Sequence, residues 1–190
     1  GFVKAVAATP VVRVADCAHN AGAILDVFCR AERDGAKLLV LPELCVTGYT
    51  CGDLFLQLAL QRAALAALET IARRTEHADM LVVLGLPLSV GCALYNCAVV
   101  LHRGKALGAV PKSMLPNYGE FYEKRIFAAA PDLSQTVRLL GRDVPFGNRL
   151  LFACGTLPEL ILGVEICEDL WAPQPPSTLL ASAGATVIAN

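Results

Sequence analysis

The chain has few charged residues and no excess of charge of one sign. Only 17% of its 190 residues are charged, and the 16 basic and 17 acidic side chains leave a formal net charge of -1, whereas 55% of the residues are hydrophobic. This balance is too apolar for a disordered chain and too neutral for a nucleic-acid-binding surface. The mean hydropathy of +0.54 predicts that part of the surface is covered, either by sequence missing from this chain or by a partner subunit, such as a second copy in a homo-oligomer.

Unbroken hydrophobic runs of membrane-spanning length are also absent. Residues 80–101 and 170–190 are uncharged and approach the roughly 20 residues that a spanning helix needs. Glycine, proline and asparagine interrupt the first run, and Pro173, Pro175 and Pro176 interrupt the second, so neither is predicted to cross a membrane. The first residues lack the basic segment and longer apolar stretch of an export signal. We therefore expect a cytoplasmic protein with no membrane partner.

Paired metal-binding motifs are missing as well. The eight cysteines form no CxxC pair and the three histidines are scattered along the chain. Because a zinc site needs paired ligands at short spacing, no metal is predicted. The cysteines are interpreted as reduced core thiols. No phosphate-binding loop of the SGGxDS kind occurs, so no cofactor is predicted for this chain, ATP included.

The hydrophobic periodicity alternates between helical and strand patterns. Helices are predicted at residues 16–34, 53–77 (with Asp53 as the N-cap) and 177–183. Strands are predicted at residues 3–8, 37–41, 80–86, 93–102, 106–111, 136–140, 150–153, 160–166 and 185–189, with a hairpin turn at 102–105. This pattern favours an α/β layered fold with helices outside the sheets. Because the last strand has no helix after it, residues 1–190 are interpreted as a single incomplete domain.

Three predicted strands each end near one reactive side chain. These are Glu43, Lys112 and Cys167, and α/β sheets place their sites at such strand ends. A thiolate can attack an acyl carbon, a carboxylate can take the proton, and an ammonium can stabilise the oxyanion. A salt bridge beside a buried thiol would explain the same residues equally well. In the catalytic interpretation, a depressed thiol pKa and selective alkylation are expected at Cys167.

The segments around these three residues resemble one family. They read LPELCVTGY at 41–49, PKSMLPNYGEFYEKR at 111–125 and GVEICEDLW at 163–171, which is similar to the Glu, Lys and Cys signatures of the nitrilase (carbon–nitrogen hydrolase) superfamily. The second and third segments are typical of the amidase domain of glutamine-dependent NAD synthetases, and the resemblance extends over residues 3–190. It implies a nitrilase-like αββα four-layer sandwich whose C-terminal part is missing from this sequence.

The resemblance also implies a role for each reactive side chain. Glu43 would be the general base, Lys112 the oxyanion stabiliser and Cys167 the nucleophile. Glu120 matches the fourth polar residue of the superfamily, which positions the lysine or the substrate.

Contacts with the substrate are expected from the neighbouring residues. Tyr49 and Tyr118 are predicted to line a glutamine pocket, and Glu168 to offer its backbone N–H to an oxyanion hole. The alternative for each tyrosine is a packing role. Glu123 and Arg125 are predicted to brace the loop as an ion pair.

The activity implied by the resemblance is hydrolysis of L-glutamine through a thioester. In that family the released ammonia passes to a synthetase domain, which uses ATP and magnesium to convert nicotinic acid adenine dinucleotide to NAD, and which is absent from these residues. Two alternatives stay open from the sequence. One is a stand-alone amidase or carbamoylase, and the other is a truncated module without catalytic activity.

Overall fold

The structure is a computed structural model that describes residues 2–190. Its α-helices are Cys17–Arg33 (α1), Leu58–Arg74 (α2) and Pro176–Ser182 (α3). Its strands are Ala5–Ala7 (β1), Leu38–Val40 (β2), Leu81–Val90 (β3), Ala93–His102 (β4), Lys105–Pro111 (β5), Gln135–Leu139 (β6), Arg142–Phe146 (β7), Leu151–Ala153 (β8), Ile161–Val164 (β9) and Val187–Ala189 (β10).

The strands form two sheets that lie between layers of helices. The larger sheet has the order β1-β2-β3-β4-β5-β7-β6, and the smaller has the order β10-β9-β8. Helices α1 and α2 pack against each other and share one core with the larger sheet, whereas α3 packs on β9. The result is the helix–sheet–sheet–helix arrangement expected from the sequence, with β1, β2 and β3 parallel and β3, β4 and β5 antiparallel.

The larger sheet is buried on both faces because its strands alternate between two cores. On β3, Leu84 and Leu86 belong to the core under α1 and α2. Val83 on β3 and Val100 on β4 belong to the core shared with the smaller sheet, where they meet Leu162 of β9. Since side chains alternate along a strand, Asn96, Ala98 and Val100 of β4 point between the sheets, and this is the side on which the candidate site lies.

The predicted helix at residues 53–77 starts later than expected. Gly52–Leu56 form a short 3₁₀ turn, and α2 begins at Leu58 after Gln57, which makes no side-chain cap. Asp53 is therefore not the N-cap of α2. Its carboxylate instead accepts a hydrogen bond from Arg125, at 2.9 Å.

Strand β7 was not predicted from the sequence. It reads Arg-Asp-Val-Pro-Phe, and its two charged residues and proline hide the strand pattern, although Val144 and Phe146 are buried. Leu140 and Gly141 have positive φ angles of 49° and 72°, which is the tight-turn geometry that returns β6 into β7. The predicted hairpin before β5 has the same geometry, with φ of 47° at Arg103 and 73° at Gly104.

The thiols divide into two groups. All eight cysteines are free, and the interpretation as core residues is correct only for Cys17, Cys45, Cys51 and Cys97, since Cys29, Cys92 and Cys167 are exposed and Cys154 is half-buried. Within residues 2–190 no three His, Cys, Asp or Glu side chains cluster as a metal site would require. None of the helices in this described range combines the length and apolar character needed to cross a membrane.

Candidate active site

The turn after β2 places Glu43 against the neighbouring strand. A side chain at Gly85 of β3 could not be accommodated, because its Cβ would lie 2.8 Å from Glu43 Cα. The same turn is held from the other side by Asn20 of α1, whose Nδ2 donates to the carbonyl oxygen of Val46 at 3.0 Å. Glu43 is thus fixed by backbone packing and is directed between the two sheets.

Lys112 follows β5, and its side chain is completely buried between two carboxylates. Its Nζ lies 2.7 Å from Glu43 Oε1 and 2.7 Å from Glu123 Oε1. Burial by itself lowers the pKa of Lys112, but the two carboxylates outweigh burial and the net pKa is raised. The side chain is therefore a protonated ammonium, and one of its three N–H donors is left for a third acceptor.

Asn96 is a site residue that sequence reasoning missed. It lies in the middle of β4 between Tyr95 and Cys97, it is 0% exposed, and its Nδ2 donates a short hydrogen bond to Glu43 Oε1. A polar amide in an otherwise apolar buried strand requires a partner, and this is the signal in the sequence that could have identified it. Asn96 and Lys112 together fix the orientation of the Glu43 carboxylate.

Cys167 lies at the turn where β9 enters the 3₁₀ segment Cys167–Trp171. Its φ angle is +47°, a left-handed conformation that a non-glycine residue adopts only when its surroundings enforce it. Partial burial of the sulfur and the charge of Glu43 raise the thiol pKa, and the opposing effect of Lys112 does not cancel them. The expected depression of the Cys167 pKa is therefore wrong, and the group is a thiol.

Asp169 connects the turn that carries Cys167 with the segment that follows Lys112. Its Oδ1 accepts hydrogen bonds from the backbone N–H groups of Ser113 at 2.9 Å and Met114 at 2.7 Å, and its Oδ2 accepts one from Ile166 at 3.0 Å. The residue is 1% exposed. This one carboxyl group therefore sets the distance between the segments that carry Lys112 and Cys167.

The free energy of unfolding should depend on whether Asp169 is protonated. Burial raises its pKa from 3.8 to about 6 although backbone donors oppose the shift. The folded state then binds this proton more tightly than the unfolded chain. The free energy of unfolding contributed by this group should therefore fall by about 3 kcal/mol as the pH rises through 4 to 6. Since Asp169→Asn lacks this titration, denaturant unfolding at each pH should show the stability of the wild type falling relative to the variant. Parallel pH profiles would contradict this.

Glu123, and not Glu120, is the second carboxylate on Lys112. Glu120 is exposed, and its side chain makes no contact with Lys112 among the described residues. The predicted Glu123–Arg125 ion pair is also wrong, because Arg125 pairs with Asp53. A 3₁₀ turn at Glu123–Arg125 directs the glutamate inward and leaves the arginine at the surface.

The two tyrosines occupy different places. The Tyr49 hydroxyl donates to Glu123 Oε1 at 2.7 Å, and its burial and this carboxylate raise the tyrosine pKa, so Tyr49 stays protonated and braces Glu123. The exposed Tyr118 donates its hydroxyl proton to Glu168 Oε2 at 2.8 Å. Tyr118 and Glu168 thus form a polar pair beside Cys167 at the surface.

Glu43 and Cys167 line a cavity of about 190 Å³, which we call the site cavity. Its polar lining includes Glu43, Asn96, Glu165 and Cys167, and its remaining wall is mostly apolar side chains of β2, β3, β4 and β9. A carboxylate and a thiol thus face one cavity, and the buried ammonium of Lys112 is hydrogen-bonded to that carboxylate. This set can add a nucleophile to a carbonyl, accept its proton and stabilise the resulting oxyanion.

The comparisons with known proteins agree with this chemistry. The chain is 48% identical over 192 residues to the glutamine-dependent NAD(+) synthetase of Mycobacterium tuberculosis, a match that covers 100% of the chain and 28% of that protein. It is 37% identical over 161 residues to the enzyme of the same name from Thermotoga maritima, covering 84% of the chain and 24% of that protein. The chain thus spans about a quarter of the length of these relatives.

Solved structures give the same picture of the fold. A glutamine-dependent NAD(+) synthetase from Cytophaga hutchinsonii superposes with a TM-score of 0.85 at 31% identity, covering 99% of this chain and 30% of that one. An amidase from Nesterenkonia sp. superposes with a TM-score of 0.69 at 26% identity, covering 98% and 63%. The sequence profile of the carbon-nitrogen hydrolase family matches residues 3–190. This chain, with its two sheets and its Glu–Lys–Cys arrangement, therefore belongs to the carbon-nitrogen hydrolase family.

Proposed function

We propose that this chain is the glutaminase part of a glutamine-dependent NAD synthetase and hydrolyses the side-chain amide of L-glutamine. The observation that carries the proposal is that Cys167 and Glu43 line one cavity and that the ammonium of Lys112 is hydrogen-bonded to Glu43. The identity of the chain to proteins named glutamine-dependent NAD(+) synthetases supports this substrate over the amides that other members of the family hydrolyse.

In the first half of the reaction, Cys167 Sγ attacks the amide carbon while Glu43 accepts the thiol proton. Because the resting group is a thiol and not a thiolate, the proton must move during attack, and general-base catalysis supplies this step. Lys112 uses two of its N–H donors for Glu43 and Glu123, so its third donates to the developing oxyanion. Glu43 then gives its proton to the amide nitrogen, the C–N bond breaks, and ammonia leaves a thioester.

In the second half of the reaction, a water molecule is the nucleophile instead of the Cys167 thiol. Glu43 removes a proton from water as the oxygen attacks the thioester carbon, and Lys112 again stabilises the oxyanion. The C–S bond breaks, glutamate leaves, and the sulfur recovers the proton from Glu43. Asn96 keeps the Glu43 carboxylate in one orientation through both halves, so that the same oxygen serves as base and then as acid.

The pair formed by Tyr118 and Glu168 is proposed to hold the amino end of glutamine. Both lie at the surface beside Cys167, and the carboxylate can accept a hydrogen bond from the substrate ammonium in addition to the one from Tyr118. Tyr49 acts indirectly in this proposal, through its hydrogen bond to Glu123. The backbone N–H of Glu168 stays a candidate second donor to the oxyanion.

The ammonia is proposed to serve a synthetase domain of the same parent protein, which would bind ATP and magnesium outside this chain. A homo-oligomer also stays part of the proposal. It is supported by exposed apolar side chains in the segments that follow Lys112 and Cys167, namely Met114 (43% exposed), Tyr122 (60%) and Trp171 (75%).

Replacing Cys167 by alanine in the complete protein tests the function. Ammonia release from glutamine should fall on the order of 10⁴-fold or more, as it does when other hydrolases lose their nucleophile. NAD formation from added ammonium should persist, because that step does not use the thiol. Cys92→Ala, which removes another exposed thiol, is the matched control and should behave as the wild type. Glutamine hydrolysis that survives in Cys167→Ala would disprove the proposal.

A further inference from the structure

A second and larger cavity lies between the two sheets, far from Cys167. Its volume is about 570 Å³, and its lining combines residues of β3, β4 and β5 with β8 and the loop that follows β8. His102, the last residue of β4, lines it and is six residues from Asn96, which is roughly 20 Å along a strand. Among the residues that the structure describes, none lines both this cavity and the site cavity. We call it the second cavity.

A bulge in β5 shapes the wall of the second cavity. The pairing with β4 skips Leu107, because Ala106 and Gly108 lie opposite consecutive residues of β4. A bulge re-aims the side chains around it, and here Ala106 and Ala109 both face the core under α1 and α2. Leu107 and Gly108 therefore both face the gap between the sheets. A Cβ at Gly108 would lie 3.0 Å from the Phe152 ring, so this glycine lets β8 approach, while Leu107 forms part of the cavity wall.

The polar side chains of the second cavity carry a surplus of positive charge. One carboxylate, that of Asp79, is shared by Lys37 at 3.2 Å, His102 at 3.2 Å and Arg103 at 3.1 Å, and all four residues line the cavity. Hydrogen bonds from these three side chains lower the pKa of Asp79 to about 2. Lys37 and Arg103 together exceed Asp79 by one positive charge. Because a lysine has three N–H donors and an arginine five, donors are left for a further acceptor.

We propose that the second cavity binds an organic acid that carries a single carboxylate on an apolar body. Its volume falls in the range of about 300–1,000 Å³ that is typical of small-molecule sites. Leu81, Leu107, Phe152 and Leu160 offer an apolar wall to the body of the ligand. The surplus of one positive charge matches a monovalent anion, and a guanidinium such as that of Arg103 pairs well with a carboxylate. This binding is separate from the proposed glutaminase reaction, because it uses neither Cys167 nor its partners.

A brominated acid can locate the ligand without any turnover. Crystals of the complete protein soaked in 8-bromooctanoate should show an anomalous bromine peak against Leu107 and Phe152. The carboxylate should lie within hydrogen-bond distance of Lys37 or Arg103. Bromine peaks only elsewhere on the protein, or a second cavity filled by other residues of the complete protein, would overturn the proposal.

Calorimetric titration of the complete protein tests the role of charge in solution. Octanoate should bind at least about tenfold more weakly to Lys37→Gln/Arg103→Gln than to the wild type, since hydrogen bonds to a charged group are lost. Arg138→Gln is the matched control, because Arg138 is an exposed arginine that pairs with Asp143 elsewhere, and it should bind octanoate as the wild type does.

The same titration with 1-octanol needs no variant. The alcohol has the same apolar body without the charge, so the wild type should bind it at least about tenfold more weakly than octanoate. Equal affinity for the alcohol and the acid, or wild-type affinity for octanoate in the double variant, would refute the proposal. Loss of glutamine hydrolysis in any preparation would bear on the proposed function alone, because neither measurement depends on turnover.

Discussion

Replacing Glu43 by glutamine is expected to change two reactions of Cys167 in opposite directions. Glutamine hydrolysis should fall by about 10²–10⁴-fold, because the general base is lost. Alkylation of Cys167 by iodoacetamide at neutral pH should become faster, since the Glu43 charge is one of the causes that raise the thiol pKa. The glutamine side chain can keep its Oε1 contacts with Asn96 and Lys112, so the fold should survive the change.

Mass mapping of the alkylated cysteine and an ammonia assay on the same preparation measure both effects. Glu120→Gln is the matched control, because Glu120 is an exposed glutamate of the neighbouring loop. Slower alkylation together with slower hydrolysis would show that Glu43 has only a structural role.

Loss of Lys112 is expected to damage stability as well as catalysis. Lys112→Met leaves Glu43 and Glu123 without the ammonium that lies 2.7 Å from each, and breaking a buried pair of this kind costs about 3–5 kcal/mol. The double variant Lys112→Met/Glu123→Gln removes one of the two stranded charges and should regain part of the unfolding free energy. Hydrolysis should stay low in both variants, because the oxyanion donor is absent.

Denaturant unfolding and the ammonia assay separate these two effects. Lys112→Met combined with Glu120→Gln is the control, and it should recover no stability, since Glu120 does not contact the lysine in the described structure. If the Glu123 double variant regained hydrolysis together with stability, Lys112 would be a structural residue and not a participant in the reaction.

The sequence predicted the long, strongly periodic elements best. The strand predicted at 93–102 has the bounds of β4, and the helix predicted at 16–34 corresponds to α1 with Asp16 as its N-cap. Both contain buried apolar residues along their whole length, so the hydrophobic pattern in the sequence indicates where each element begins and ends. Strand β7 and the start of α2 depended on a tight turn and a 3₁₀ segment, whose geometry leaves little trace in hydrophobic periodicity.

Within the site, the sequence identified the residues at strand ends but not their mutual contacts. Glu43 and Cys167 follow strands that end at the same cavity, and Lys112 follows a strand whose end brings its ammonium to Glu43. Glu123 and Asn96 could not be assigned, since one depends on how a loop turns and the other on which face of β4 points inward. The direction of the Cys167 pKa shift was also missed, because it is the balance of burial, Glu43 and Lys112.

Capture of the acyl intermediate tests the role of Cys167 most directly. The complete protein is mixed with glutamine, quenched in acid during turnover, and digested for mass mapping of all eight cysteines. We expect the mass of one glutamyl group on the peptide that contains Cys167, and its loss when glutamine is consumed. Ammonia release with a glutamyl group on another cysteine, or on none, would contradict the assignment of Cys167 as the nucleophile.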